Sequence, residues 1–166
     1  MARILEIDIV GTDNNDNIEE NVIYRLNQKP KSTPNYRYLV VSEKIDQLFP
    51  SIDILVIREF KKIKDNLKRN IKKGMGLEVT ISDLRKAEGP QVGKWFNQLR
   101  EIHKFCKSAQ CQLIISSGAR SHLEMVSGRC FESILKTCDM QPEHYWHDLE
   151  KWIESRCWGK VFTNTK

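Results

Sequence analysis

Leu77-Glu78-Val79-Thr80-Ile81 alternates apolar and polar side chains and runs on into Ser82. On a strand, Glu78, Thr80 and Ser82 share one face, and Leu77, Val79 and Ile81 share the other. Helical spacing stands on both sides of this strand. Upstream, Phe60 to Lys73 repeats Phe60, Ile63, Leu67 and Ile71 and is ended by Gly74; downstream, Gln91 to Ser108 places Trp95, Leu99, Ile102 and Phe105 on one face. A strand between helices belongs to a mainly parallel sheet with right-handed crossovers. Strands covered by helices on both faces are normally almost continuously apolar. A face carrying Glu78, Thr80 and Ser82 is better accommodated by a sheet that curls around a polar interior, as a barrel does.

The same alternation of strand and helix extends in both directions. Arg3 to Val10 reads as a first strand with Glu6 and Asp8 on one face, followed by the polar turn Gly11 to Asn17 and by helical spacing over Ile18 to Gln28. Residues 29–35, with Pro30 and Pro34, form a connector between the first and second β/α units. Tyr36 to Val41 is a strand, and Ser42 can cap a helix through Phe49. Ile52 to Ile57 is the third strand. Ser82 to Pro90 reads as a loop or short turn, Gln112 to Ser116 as the fifth strand, and helices follow near Arg129 to Cys138 and Pro142 to Arg156. The fold class expected is α/β, a single domain over 1–166 whose parallel β/α units form a truncated or incomplete TIM-like barrel of about five to six strands. Residues 157–166 form a carboxyl-terminal tail. A chain of 166 residues falls short of the roughly 200 that a complete eight-fold barrel uses.

Forty per cent apolar and thirty per cent charged residues support one packed domain and argue against a disordered chain. Glu6 and Asp8 interrupt the amino-terminal apolar stretch, so no secretory signal is expected, and no run approaches the roughly 20 apolar residues of a membrane helix. Cys106, Cys111, Cys130, Cys138 and Cys157 are odd in number and contain no Cys-x-x-Cys pair, which favours free thiols over a disulfide framework or a zinc site.

The net charge of +5 is concentrated. Arg58 to Lys73 holds eight cations against Glu59 and Asp65, so the rest of the chain is nearly neutral. With Phe60, Ile63, Leu67 and Ile71 in the core, Lys64, Lys68 and Lys72 turn outward as a row, one per turn. Such a row suits a phosphate backbone, because each neutralised phosphate releases counterions. A solvated lysine face with no ligand is the competing explanation, and nothing in the stretch reads base sequence.

Hydrolytic chemistry finds less support. Glu6, Asp8 and Glu78 could converge at the carboxyl ends of strands and hold a metal for phosphoester cleavage. The histidines (His103, His122, His144, His147) all come late, and none forms a His-x-His pair on a strand. Ser116-Ser117-Gly118-Ala119 is not a Gly-x-Ser-x-Gly elbow. No catalytic residue and no metal ligand is assigned. The carboxylates are expected to be internal, paired with Arg58 or hydrogen-bonded to Thr80 and Ser82.

Leu113-Ile-Ile-Ser-Ser-Gly-Ala-Arg-Ser121, then Leu123-Glu-Met125 and Arg129 opening a helix, resembles the signature of the barrel-type protein subunit of ribonuclease P, protein component 3 in archaea. Asn70-Ile-Lys-Lys-Gly74, Gly76 to Leu84 and Arg100-Glu-Ile-His-Lys-Phe105 are similar to the family's basic helix end, strand entering a loop, and following helix. Ile4-Leu-Glu-Ile-Asp8 is similar to its first strand. The resemblance covers about Asn70 to Arg156 and that strand. It departs where the family commonly carries Arg-x-Pro-x-Asp: Val126, Gly128 and Cys130 stand there, with only Arg129 charged. Against the family's usual length, about two β/α units are missing from the middle.

The resemblance implies a non-catalytic subunit of the ribonucleoprotein that removes the 5′ leader of precursor tRNA. In that family RNA is the catalyst, with Mg²⁺, and the protein binds no cofactor of its own. Its partners would be ribonuclease P RNA, protein component 2, the other ribonuclease P subunits and, in the holoenzyme, precursor tRNA. The compartment would be an archaeal cytoplasm, or a nucleus in a eukaryote. For RNA contact the candidates are Lys61, Lys62, Lys64, Lys68, Arg69, Lys72 and Lys73, with Arg120 and Arg129. Glu6, Asp8, Glu78, Ser116, Ser117, Gly118 and Ala119 belong to the family motifs as structural residues. Tyr145, Trp146, Trp152, Trp158 and Phe162 make the carboxyl-terminal segment aromatic, either to anchor a protein partner or, as the favoured reading, to pack against the truncated barrel's open side. Two other functions stay open: a divergent metal-dependent phosphoesterase of the related polymerase and histidinol phosphatase superfamily, and a generic basic RNA-binding adaptor.

Overall fold

Five short strands pair in parallel in the computed structural model, which describes residues 23–31, 37–45, 52–119 and 122–157. They are β1 (Ile23–Leu26), β2 (Arg37–Ser42), β3 (Ile54–Val56), β4 (Gly76–Thr80) and β5 (Gln112–Ser116), and their spatial order equals their chain order. The helices are α1 (Phe60–Asn70) between β3 and β4, α2 (Ile81–Arg85) and α3 (Pro90–Ala109) between β4 and β5, then a short 3-10 turn (His122–Glu124), α4 (Gly128–Thr137) and α5 (Pro142–Cys157). The α/β class and the parallel sheet agree with the sequence expectation.

Cross-strand registers define the two faces. Val41, Ile54 and Gly76 lie side by side, as do Val56, Glu78 and Ile114, and Thr80 with Ser116. Leu55, Leu77 and Leu113 occupy the opposite face. Because the chain never reverses its direction of progress across the sheet, right-handed crossovers carry α1 and α3 to the same side. There Leu77 and Val79 are buried with Phe60, Leu67, Leu99 and Ile102, and the Phe60 and Phe105 rings meet edge to face at 5.4 Å. Among the described residues the other face is covered by α5. This helix touches both β5 and β2, and the Trp152 indole lies where a Cβ on Gly76 would be, about 3.0 Å away. Gly76 thus makes room for the closest approach of α5 to the sheet. The Trp152 Nε1–H donates to the Gly74 carbonyl at 2.7 Å, and the Ile115 N–H on β5 donates to the Tyr145 hydroxyl at 2.8 Å.

Local chemistry explains the helix ends. Glu59 makes no side-chain cap on α1; instead the Gln98 side chain of α3 accepts from the Phe60 N–H (3.0 Å) and donates to the Arg58 carbonyl (3.1 Å). Pro90 opens α3, and Gln110 closes it in the left-handed region with the Cys111 N–H returning to the Cys106 carbonyl at 2.9 Å.

Three expectations are corrected. Residues 23–26, placed in a helix over Ile18 to Gln28, form β1: Ile23 and Arg25 face one way and pair with β2, and this non-local pairing overrides the helical spacing of Ile18, Val22 and Leu26. The basic helix stops at Asn70, three residues early, because Ile71 is extended and partly buried against the core. Part of the segment read as a loop from Ser82 to Pro90 is the short helix α2. The expected first strand over Arg3 to Val10, much of the 29–35 connector, the helix from residue 46 up to Phe49, and the tail from Trp158 onward lie outside the described residues. Among the described residues no helix is long and apolar enough to cross a membrane.

Candidate functional site

The strands β1 to β5 all point their carboxyl ends the same way, and a cleft of about 760 Å³ opens there on the face that carries Glu78. It is lined by Arg25 on β1 and Asn27 after it, Val41 on β2 and Glu43 after it, Val56 on β3 and Arg58 after it, Glu78 and Thr80 on β4, Ser82, Asp83, Arg85 and Lys86 in and just after α2, and Gly118, Ala119 and Glu124 after β5. Parallel β/α sheets place their ligand sites at this end, where successive loops converge.

Glu78 stands at the floor of the cleft and is fully buried. Its carboxylate accepts two bonds from the Arg25 guanidinium, at 2.6 and 2.5 Å, and a third from the Ser116 hydroxyl. Both oxygens are therefore occupied by donors from the protein itself. The partner is Arg25, not the Arg58 expected from sequence. Arg58 is turned to the rim, where it donates to Glu43 at 2.9 Å and lies 3.8 Å from Asp83. The reason is topological: once Ile23–Leu26 is a strand, Arg25 sits on the same face as Glu78, three strands away. Thr80 and Ser82 do not reach Glu78; the Ser82 hydroxyl donates to Thr80 Oγ1, whose own hydroxyl donates to Asp83 at 2.8 Å.

Gly118 and Ala119 line this cleft, and Ser116 and Ser117 directly precede them. Ser116 binds Glu78, the Ser117 carbonyl accepts from the Ser82 N–H, and Gly118 has a φ of +63° with a virtual Cβ only 2.5 Å from Ser82 Oγ. Gly118→Val is expected to cost about 1–3 kcal/mol, since a β-branched residue is strained in this region and collides with Ser82. A urea midpoint equal to wild type would show that the turn does not need glycine.

The basic candidates fall elsewhere. Lys61, Lys62, Lys68 and Arg69 are exposed on α1, and Lys64 is half-buried with its ammonium 5.7 Å from the centre of the Phe60 ring. Lys62 pairs with Glu59, and Lys68 with Asp65 at 3.5 Å, both pairs exposed and of small energetic weight. Lys72 and Lys73 are exposed in the turn before β4, so the row of Lys64, Lys68 and Lys72 is not continuous on one helix. Arg129 is exposed in the first turn of α4. Arg120, Glu6 and Asp8 lie outside the described residues.

Among the described residues no group of three or more His, Cys, Asp and Glu side chains is arranged to hold a metal ion. Cys106, Cys111, Cys130 and Cys138 are free thiols, and burial pushes Cys106, Cys111 and Cys138 above the ordinary thiol range, away from nucleophilic character. Burial likewise raises the Tyr145 hydroxyl above the usual phenol range, where it serves as a neutral acceptor for β5. Of the carboxyl-terminal aromatics, Tyr145 and Trp152 are buried and Trp146 is 37 % exposed, which makes packing their main work. Trp158 and Phe162 lie outside the described residues. Sequence reasoning missed Arg25 and the rim pair Arg85 and Lys86. The Arg25 signal was the β-prone run Ile23-Tyr24, read there as helix. Comparison with family models, curated proteins and solved structures returns no match for this chain.

Proposed function

We propose that this chain is a non-catalytic, RNA-binding subunit of ribonuclease P, of the protein component 3 type, which stabilises the catalytic RNA in removal of the 5′ leader of precursor tRNA. The observation that carries the reading is the exposed cation surface of α1 and the turn after it: Lys61, Lys62, Lys68, Arg69, Lys72 and Lys73. It is the charged surface that a folded RNA backbone would recruit. Two features support it. The order of the five parallel strands, without reversal, suits a partial barrel. The Ser116–Ala119 segment that carries the family resemblance forms a tight structural turn, with the neighbouring carboxylate held by Arg25 and unavailable as a metal ligand. Component 2 and ribonuclease P RNA are the partners in this proposal, Mg²⁺ belongs to the RNA, and the compartment is the cytoplasm of an archaeal cell.

Reconstitution tests it. Cognate ribonuclease P RNA with component 2 should cleave precursor tRNA faster, and at lower Mg²⁺, when this protein is added; an unchanged rate and Mg²⁺ requirement would remove the proposal. In the same assay Lys61, Lys64 and Lys68 changed together to Ala should weaken RNA binding and flatten its salt dependence by about 0.9 in log–log slope for each lost duplex contact. A slope equal to wild type would move the RNA surface off α1.

A further inference from the structure

The cleft at the carboxyl ends of the strands takes no part in that reading, yet its polar groups are unevenly used. Its acceptors are engaged: Glu78 by Arg25 and Ser116, Glu43 by Arg58, Asp83 by Thr80 and Arg58, and Glu124 is engaged as well. Its donors are not. Arg85 and Lys86, both exposed on the rim, have no hydrogen-bond or ion-pair partner among the described residues. A neighbouring pair of unused cations on a walled cleft is a receptor for a phosphate ester, the guanidinium as a planar fork and the ammonium as a point charge.

Position extends the argument. Arg58 lines the cleft and α1 begins two residues later, so Lys61 and Lys62 in its first turn lie at the cleft end. From there the exposed cations continue to Lys68 and Arg69, over a helix of 11 residues, about 16 Å long. An extended polyanion, rather than a small isolated anion, matches a cleft that leads onto a charged helix. A volume of about 760 Å³ admits one nucleotide and excludes a duplex, and unstacked bases of single-stranded RNA are the ones that proteins take into pockets.

We propose that the cleft is a nucleotide subsite: it receives one ribonucleotide of a single-stranded RNA segment, phosphate on Arg85 and Lys86, and the strand continues along α1. This deepens the RNA reading of α1 and rests on it.

The test uses the full chain. Adenosine 5′-monophosphate is titrated while backbone amide resonances are followed, and a labelled single-stranded hexaribonucleotide is bound to wild type, to Arg85→Ser/Lys86→Ser and to Lys61→Ser/Lys68→Ser. The nucleotide should shift Thr80, Gly118 and Ala119, and the cleft variant should bind the hexamer about tenfold more weakly, the effect of losing a charged contact, with an unchanged thermal midpoint. Equal shifts from inorganic phosphate would reduce the cleft to a phosphate site, and displacement of the nucleotide by poly-glutamate would make it a peptide site; either overturns the proposal. A hexamer affinity lowered by the α1 variant but not by the cleft variant sinks the subsite and leaves the RNA reading standing. The reverse result sinks the α1 reading and leaves the cleft. No binding of nucleotide or hexamer to wild type rejects both.

Discussion

Arg25→Met will lower the unfolding free energy by about 3–5 kcal/mol, the loss expected when one member of a buried ion pair is removed. Glu78 has no exposure to solvent, and the Arg25 side chain is only 16 % exposed. Without the guanidinium, the carboxylate keeps a single hydroxyl donor, Ser116, and is left a buried charge without its counter-ion. The double variant Arg25→Met/Glu78→Leu should recover most of the loss, because well-packed apolar side chains of similar volume replace a buried pair at little cost. Urea denaturation of the three proteins measures this. A single variant within about 0.5 kcal/mol of wild type would show that the pair is solvated, as surface pairs of that weight are. The coupling also identifies what holds β1 in place, since Arg25 and Glu78 are 53 residues apart in the chain.

Trp152→Ala has a comparable cost, about 3–5 kcal/mol, the range for deleting a large buried aromatic side chain. The indole fills the space over Gly76 and bonds the Gly74 carbonyl, 78 residues away. Trp152→Phe separates the two contributions. It keeps most of the volume and loses the donor, so it should cost less than half as much. If the Ala variant unfolds at the wild-type midpoint, α5 is not what covers this face. Gly76→Val approaches the same contact from the other side: its side chain would collide with the Ile114 methyl, 2.6 Å from the Cβ position, and with Trp152.

These two contacts also mark where sequence reasoning ran out. Strands β2 to β5 and helices α1, α3, α4 and α5 were visible because their patterns are local: Leu99, Ile102 and Phe105 repeat at helical spacing, and Leu77 and Val79 alternate, whatever they pack against. The cation cluster from Arg58 to Lys73 was visible for the same reason, as a count along the chain. Its arrangement was less so. Ile71 looked like a further helical turn by spacing, but it turns into the core as extended chain and carries Lys72 and Lys73 off the helix. Glu78 was recognised as a carboxylate on an interior face, and its need for a partner followed from the desolvation cost. Which cation would supply it did not follow, since Arg58 stood closer in sequence and Arg25 sat in a segment whose short apolar spacing fits helix and strand alike.

By itself the sequence determined the α/β class, the parallel succession of units, the interior carboxylate and the basic segment, all of them consequences of periodicity and composition within a window of a few turns. Only the tertiary structure decided that Ile23–Leu26 is a strand, that Arg25 neutralises Glu78, that α5 covers the second face of the sheet, and that Arg85 and Lys86 have no partner among the described residues. Each of these rests on residues far apart in the chain. The free energy that selects them comes from burial and pairing across the sheet, which no local pattern records.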